Sequence, residues 1–256
     1  MISSDFRKEA REKLTGKWGK VALITLIYMV IAVILNYFDN HTDGFANLII
    51  SVFTIVINVP IIYGLTMTFF KLFNDENVEF FDFLKDGFNN FSRSWNVAWS
   101  IFVKLLAPFI LLIVSYILMA IGGAGSFIAY FNNSSTTASG ALLGLAVIGV
   151  ILAIVSYVWL LVKSYYYQLT SLIAIENPEM SSKDAVEESK KLMEGKRWKL
   201  FCLQFSFIGW AILAALTLGI GMLWLTPYIE FAVISFYKHT LGNKETVIEE
   251  PVQTNE

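Results

Sequence analysis

With 256 residues, 56% of them hydrophobic and 16% charged, and a mean hydropathy of +0.60, the chain carries more apolar surface than a soluble domain can bury. The net charge of −2 hides a strong segregation of charge along the chain, so nothing in the balance points to nucleic acid. One cysteine, Cys202, excludes an internal disulfide, and its apolar surroundings read as those of a small buried hydrophobe.

The opening SSDFRKEAREKLTGKWGK sets Phe6, Ala10 and Leu14 on one helical face and Arg7, Lys8, Arg11 and Lys13 on the other. A basic amphipathic helix of this kind suits an anionic lipid surface, although a solvated helix leading into a span would read the same way. No small-x-small cleavage site follows the apolar run from Val21 to Phe38, so it reads as a retained first span and not a signal peptide. After an acidic turn from Asp39 to Asp43, Phe45 to Phe70 is a second span holding Pro60, whose kink a neighbouring helix must cover. Between Lys71 and Arg93, Phe80, Phe81, Leu84, Phe88 and Phe91 share a face opposite Asp82, Lys85 and Asp86, which predicts a second interfacial helix. Trp95 and Trp99 mark a membrane edge, and Val97 to Ile121 is a third span with Lys104 and Pro108 inside it.

The charge-free stretch from Gly122 to Gly140, rich in turn formers, reads as a loop, and Leu142 to Val162 as a fourth span. Gly140 and Gly144 give that span a small-xxx-small start suited to close helix packing. Lys163 and the run Tyr165 to Tyr167 fall at headgroup level, and Asn177-Pro178 ends the helix. Ser181 stands three before Asp184 as a capping-box start for a third interfacial helix, with Ala185, Leu192 and Met193 on its apolar side. Trp198 marks the next edge. Phe201 to Leu218 and Leu223 to Tyr237 then form a last, short hairpin, kinked at Pro227, which either spans or re-enters.

None of the 19 Lys and Arg falls in the three loops on the opposite side, so the positive-inside rule sets both termini in the cytoplasm and makes the number of crossings even. The expected fold is an all-α polytopic bundle of about six transmembrane helices in three hairpins, each preceded by a cytoplasmic interfacial helix. It forms one cell-membrane domain over residues 1–240, with hairpin units at 4–73, 77–178 and 179–240, and a disordered cytoplasmic tail over 241–256. Pro60, Pro108 and Pro227 are the kinks, and Trp18, Trp95, Trp99 and Trp198 the interface anchors.

The plan repeats. LTGKWGKVAL at Leu14 to Leu23 matches LMEGKRWKLFCL at Leu192 to Leu203, and DGFNNFSRSW at Asp86 to Trp95 is a looser third copy. Lys71 follows Pro60 by the spacing at which Lys238 follows Pro227, and Phe69-Phe70 corresponds to Phe236-Tyr237. Unequal spacing between units makes this a duplicated hairpin and not a solenoid. The stretch from Ala174 to Tyr237, together with FRKEAREKLTGKWGK at the start, resembles the bacterial integral-membrane family catalogued as domain of unknown function 975. The resemblance implies a multi-pass membrane protein and carries over no catalytic residue.

Enzyme chemistry finds no support. His41 and His239 lie on opposite sides of the membrane in this topology, so they cannot share a hydrolytic metal. Gly16-Lys17 lacks the earlier glycine and the following hydroxyl of a phosphate-binding loop. The spans carry no His and one acid, Glu230, so a nucleophile has no base. No cofactor is expected. Glu230 sits mid-span, costly unless paired or protonated, with Lys104 as the candidate partner. It reads either as a proton or cation site or as a helix-locking hydrogen bond. Two functions stay open: transport or lipid and small-molecule handling, or a non-catalytic envelope scaffold whose basic helices dock a partner or sense anionic headgroups. The bilayer is the expected partner, and a homo-oligomer or a second membrane protein stays open beside it.

Overall fold

The computed structural model describes residues 2–40, 44–132 and 136–249, with side chains at 2–37, 44–132 and 139–242. Among these residues the elements are α1 (Ser3–Leu14), α2 (Trp18–Asn40), α3 (Gly44–Phe73), α4 (Asp82–Asn89), α5 (Phe91–Phe131), α6 (Thr136–Tyr167), α7 (Thr170–Glu176), α8 (Ser182–Met193), α9 (Arg197–Phe205), α10 (Ile208–Leu216) and α11 (Met222–Glu249). Among the described residues, five stretches are long and apolar enough to cross a membrane: Trp18–Tyr37, Gly44–Phe73, Phe91–Phe131, Ser139–Glu176 and Arg197–Leu216. Their apolar side chains face outward; on α6, Val147, Ile151, Ile154 and Val158 are all more than half exposed. In water such rows would be apolar patches that soluble monomers do not carry, so these faces fit hydrocarbon. The sixth predicted span is absent from the set, because Glu230, Lys238 and several polar aromatics interrupt the apolar run of α11.

Two compact units form. One comprises residues 1–98 with 168–256, the other residues 99–167. In the second unit, α5 and α6 run through most of the predicted Gly122 to Gly140 loop, ending at Phe131 and resuming at Thr136. Turn-forming residues lose to the helix there because an apolar surround leaves backbone groups no other way to be satisfied. Close packing comes from different glycines than expected. A Cβ on Gly122 would stand on the backbone of Ala146, and one on Gly149 would lie 2.9 Å from the Ser115 carbonyl, whereas Gly140 and Gly144 have nothing within 4 Å. Pro108 cannot bond the carbonyl four residues before it, at Lys104, and Lys163 Nζ donates to that oxygen at 3.2 Å.

In the first unit the same problem at Pro60 has a matching solution: its orphan acceptor is the Val56 carbonyl, which takes the Trp95 indole N–H at 3.3 Å. Beside it α3 meets α4 backbone to backbone. A Cβ on Gly64 would lie 2.7 Å from Gly87 N, and one on Gly87 would meet the Pro60 carbonyl. Phe83 is fully buried on this side of α4, while Phe80, Phe81, Phe88 and Phe91 stay exposed on the other.

The repeat has a backbone basis at two of its three copies. Thr15 (φ −57°, ψ 127°) and Gly16 (φ +80°) form the centre of a type II turn closed by Lys17 N–H on the Leu14 carbonyl at 2.8 Å. Glu194 (φ −59°, ψ 125°) and Gly195 (φ +71°) repeat it, closed by Lys196 N–H on the Met193 carbonyl at 3.1 Å. The lysine after each turn reaches a backbone carbonyl of the matching second helix, Lys17 that of Leu72 at 2.6 Å and Lys196 that of Thr240 at 3.5 Å. Asp86 to Trp95 does not share this geometry, since Gly87 is a packing glycine inside α4.

The paired second helices also meet each other. Phe69 and Phe73 lie 6.2 and 5.7 Å from Phe231, and Phe70 lies 6.5 Å from Tyr237, all of these rings buried. Lys71 pairs with Asp86 at 2.6 Å, and Lys238, over the Phe70 ring, pairs with Glu176. The Arg93 guanidinium donates to the carbonyls of Ala174, Asn177 and Met180 at 2.8, 2.7 and 3.1 Å, taking up acceptors that the end of α7 leaves open. Ser181 caps α8 through the Asp184 N–H at 3.2 Å. α11 continues to Glu249, through positions read from sequence as tail; the turn at 41–43 and residues 250–256 lie outside the described residues.

Candidate functional site

The stripe Phe6, Ala10 and Leu14 of α1 is buried against protein, with Phe6 5.4 Å from Phe236 and 5.9 Å from His239, and is not left to enter lipid. Ser235 Oγ donates to Glu9 at 2.6 Å, and the Tyr228 hydroxyl to the Arg7 carbonyl at 3.3 Å. These contacts fix α1 across α11. Asp75, itself in the left-handed region (φ +64°), accepts from Lys13 and Lys17, and these hydrogen bonds bring its carboxyl down to about 2. Asp75 thereby pairs with both Lys13, in the last turn of α1, and Lys17, just beyond it. The arginines earlier in α1 are left without such a partner.

Ser4, Arg7 and Arg11 fall on one face of α1 by their three- and four-residue spacing. Together with Trp18, Trp210, Leu213, Trp224, Leu225 and Tyr228 they line a cleft of about 540 Å³ between α1, the start of α2, α10 and α11. Its floor reaches Thr217 and Gly221 at the turn of the last hairpin. Trp18 and Phe207 both set their rings edge-on to Tyr228, at 6.1 and 4.9 Å, which holds that wall in place. Arg7 Nε is buried with no hydrogen-bond partner, and among the described residues neither Arg7 nor Arg11 has an ion pair through its side chain. A desolvated guanidinium donor without an acceptor is costly.

The turn below the cleft is unusual. α10 ends in a Schellman motif, with Gly219 N–H on the Ala214 carbonyl at 3.1 Å and Leu218 N–H on the Ala215 carbonyl at 3.0 Å. Leu218 takes the left-handed position (φ +55°) that glycine normally fills, and its side chain is 96% exposed; Leu216 and Ile220 beside it are 76% and 61% exposed.

Of the residues singled out from sequence, Trp18 lines the cleft, Trp95 bonds the Val56 carbonyl that Pro60 leaves open, and Trp99 and Trp198 are exposed at 60% and 71%. Glu230 is half-buried on α11, roughly 200° round the helix from Tyr228, and stands outside the cleft. Among the described residues it makes no hydrogen bond or ion pair, and it belongs to the first unit whereas Lys104 belongs to the second. The cleft itself escaped the sequence reading because Arg7 and Trp224 are more than two hundred positions apart. The only local signal is Ser4, Arg7 and Arg11 sharing one face.

No curated protein and no solved structure matches the chain. A family model, described as a protein of unknown function (DUF975), matches residues 1–244. That match covers nearly all of the helical chain, including both copies of the Gly-Lys turn and the whole cleft, and the protein belongs to the DUF975 family.

Proposed function

We propose that the protein is a multi-pass cell-membrane protein that handles lipid or another amphiphilic small molecule inside the bilayer, without catalysing a reaction on it. The observation that carries this reading is the cleft, whose volume lies within the range of small-ligand sites and whose walls are apolar at one end and cationic at the other. Full-length protein in nanodiscs, titrated with a bromine-labelled single-chain amphiphile, should show saturable tryptophan quenching. Trp210→Ala combined with Trp224→Ala should weaken that binding about tenfold, as removal of two aromatic walls implies. Unchanged affinity in the double variant would refute the assignment. Absence of any saturable binding would favour a non-catalytic scaffold whose basic helices dock a partner.

The same reading sets the termini and the basic helices in the cytoplasm, with α1 at the headgroup level. A turn made of Leu216, Leu218 and Ile220 is unsuited to water, so the last hairpin re-enters from the cytoplasmic side and stops within hydrocarbon. In a Cys202→Ser background, an impermeant thiol reagent should reach Asn132→Cys only from outside and Glu76→Cys only from inside, and Leu218→Cys from neither. Labelling of Asn132→Cys and Glu76→Cys from one side would sink the topology. Labelling of Leu218→Cys from outside would sink the re-entrant hairpin alone.

A further inference from the structure

The cleft has two chemically distinct ends. Trp210, Leu213, Trp224 and Leu225 make an apolar slot, and Arg7 with Arg11 stands at its mouth. Arg7 and Arg11 stand four residues apart on successive turns of α1, about 6 Å along the helix axis, a spacing at which two such long side chains can converge on one tetrahedral anion. The other cations of the helix and of the turn after it are spoken for: Lys13 and Lys17 on Asp75, and Lys8 within 4.0 Å of Glu12. Nearby carboxylates are also engaged, Glu9 by Ser235 and Asp5 by the Ile2 N–H and by Ser4 Oγ at 3.3 Å. The buried, unpartnered Arg7 Nε therefore has no internal anion to turn to.

Resting on the amphiphile reading above, we infer that the cleft takes a single-chain amphiphile with a phosphate-type head, the head held between Arg7 and Arg11 and the chain lying along Trp210 and Trp224 toward the apolar turn. Arginine suits this head because its planar fork bonds two oxygens at once, which a lysine at the same place does not. About 540 Å³ is the size of a drug-like ligand, so the cleft accommodates one chain and leaves no room for the second chain of a bilayer phospholipid.

Three probes separate the possibilities: dodecyl phosphate, the neutral monododecyl glycerol ether of equal chain length, and inorganic phosphate, each titrated into full-length protein while tryptophan fluorescence is followed. Dodecyl phosphate should bind at least tenfold more tightly than the neutral ether, and inorganic phosphate should neither change the signal nor displace it. Arg7→Gln and Arg11→Gln should each reduce the preference, their combination should abolish it without weakening the neutral ether, and Arg7→Lys should retain part of it. Arg11 is exposed, so Arg11→Gln remains informative should Arg7→Gln fail to fold. Equal affinity for the two amphiphiles, or a preference that survives the double substitution, would overturn the headgroup assignment and leave the amphiphile reading standing. Displacement by inorganic phosphate would overturn it too, by showing a site for a free anion. Failure of both amphiphiles to bind would remove both readings together.

Discussion

Gly64→Ala should lower stability by about 3 kcal/mol or more, at the top of the range for overpacking, because the added methyl meets backbone and not a side chain that can rotate away. Its Cβ would stand on the Phe83 carbonyl, 2.7 Å from Gly87 N and 2.8 Å from Gly87 Cα, so α3 and α4 would have to separate. Separation would also pull on Lys71 and Asp86, which pair at 2.6 Å across the same interface. In thermal unfolding of detergent-solubilised protein the loss would read as a fall in Tm of roughly 6–12 °C for a chain of this size. Gly140→Ala and Gly144→Ala supply the control. Nothing lies within 4 Å of either Cβ, and alanine is the better helix former by about 1 kcal/mol, so both should be neutral or stabilising. Equal effects at all three positions would show that the α3–α4 approach is not what limits substitution.

Phe231→Ala should be the most damaging single truncation, at about 3–5 kcal/mol, the usual range for a fully enclosed phenylalanine. Phe231 is fully buried, with the Phe69 and Phe73 rings of α3 at 6.2 and 5.7 Å, and its removal leaves a cavity where the two repeated helices meet. Neighbouring rings cannot easily collapse into that space, because Lys238 and Glu176 anchor α11 while Lys17 and Asp75 anchor the end of α3. Phe205→Ala, at a residue 60% exposed on α9, should cost much less when measured in the same detergent. If both variants melt alike, the aromatic seam is not the core of the first unit.

What could be read from sequence was whatever depends on periodicity and local chemistry. The Gly-Lys turns at Gly16 and Gly195 follow from local pattern, as does the Ser181 cap, and the structure has them in place. Gly122 to Gly140 was misread because propensities measured in water rank Gly, Ser and Thr as helix breakers, whereas an apolar surround makes unbonded backbone the larger cost. The small-xxx-small spacing at Gly140 misled for a related reason: spacing says which glycines share a face but not whether another helix lies there, and the contact falls at Gly122 and Gly149. Arg7 and Arg11 were legible as cations of an amphipathic helix. Their place above Trp210 and Trp224 was not, since it depends on packing between segments at opposite ends of the chain.

The seating of α1 on α11 has a consequence for biosynthesis. Tyr228 and Ser235 reach α1 across sequence separations of 221 and 226 residues, so the groove that receives Phe6, Ala10 and Leu14 does not exist until almost all of the chain has been translated. At about 5–20 residues per second, α1 waits on the order of ten to forty seconds for its seat. During that interval the bilayer surface is the apolar phase within its reach. The burial of Phe6, Ala10 and Leu14 therefore belongs to the last stage of folding, after Tyr228 and Ser235 have been made.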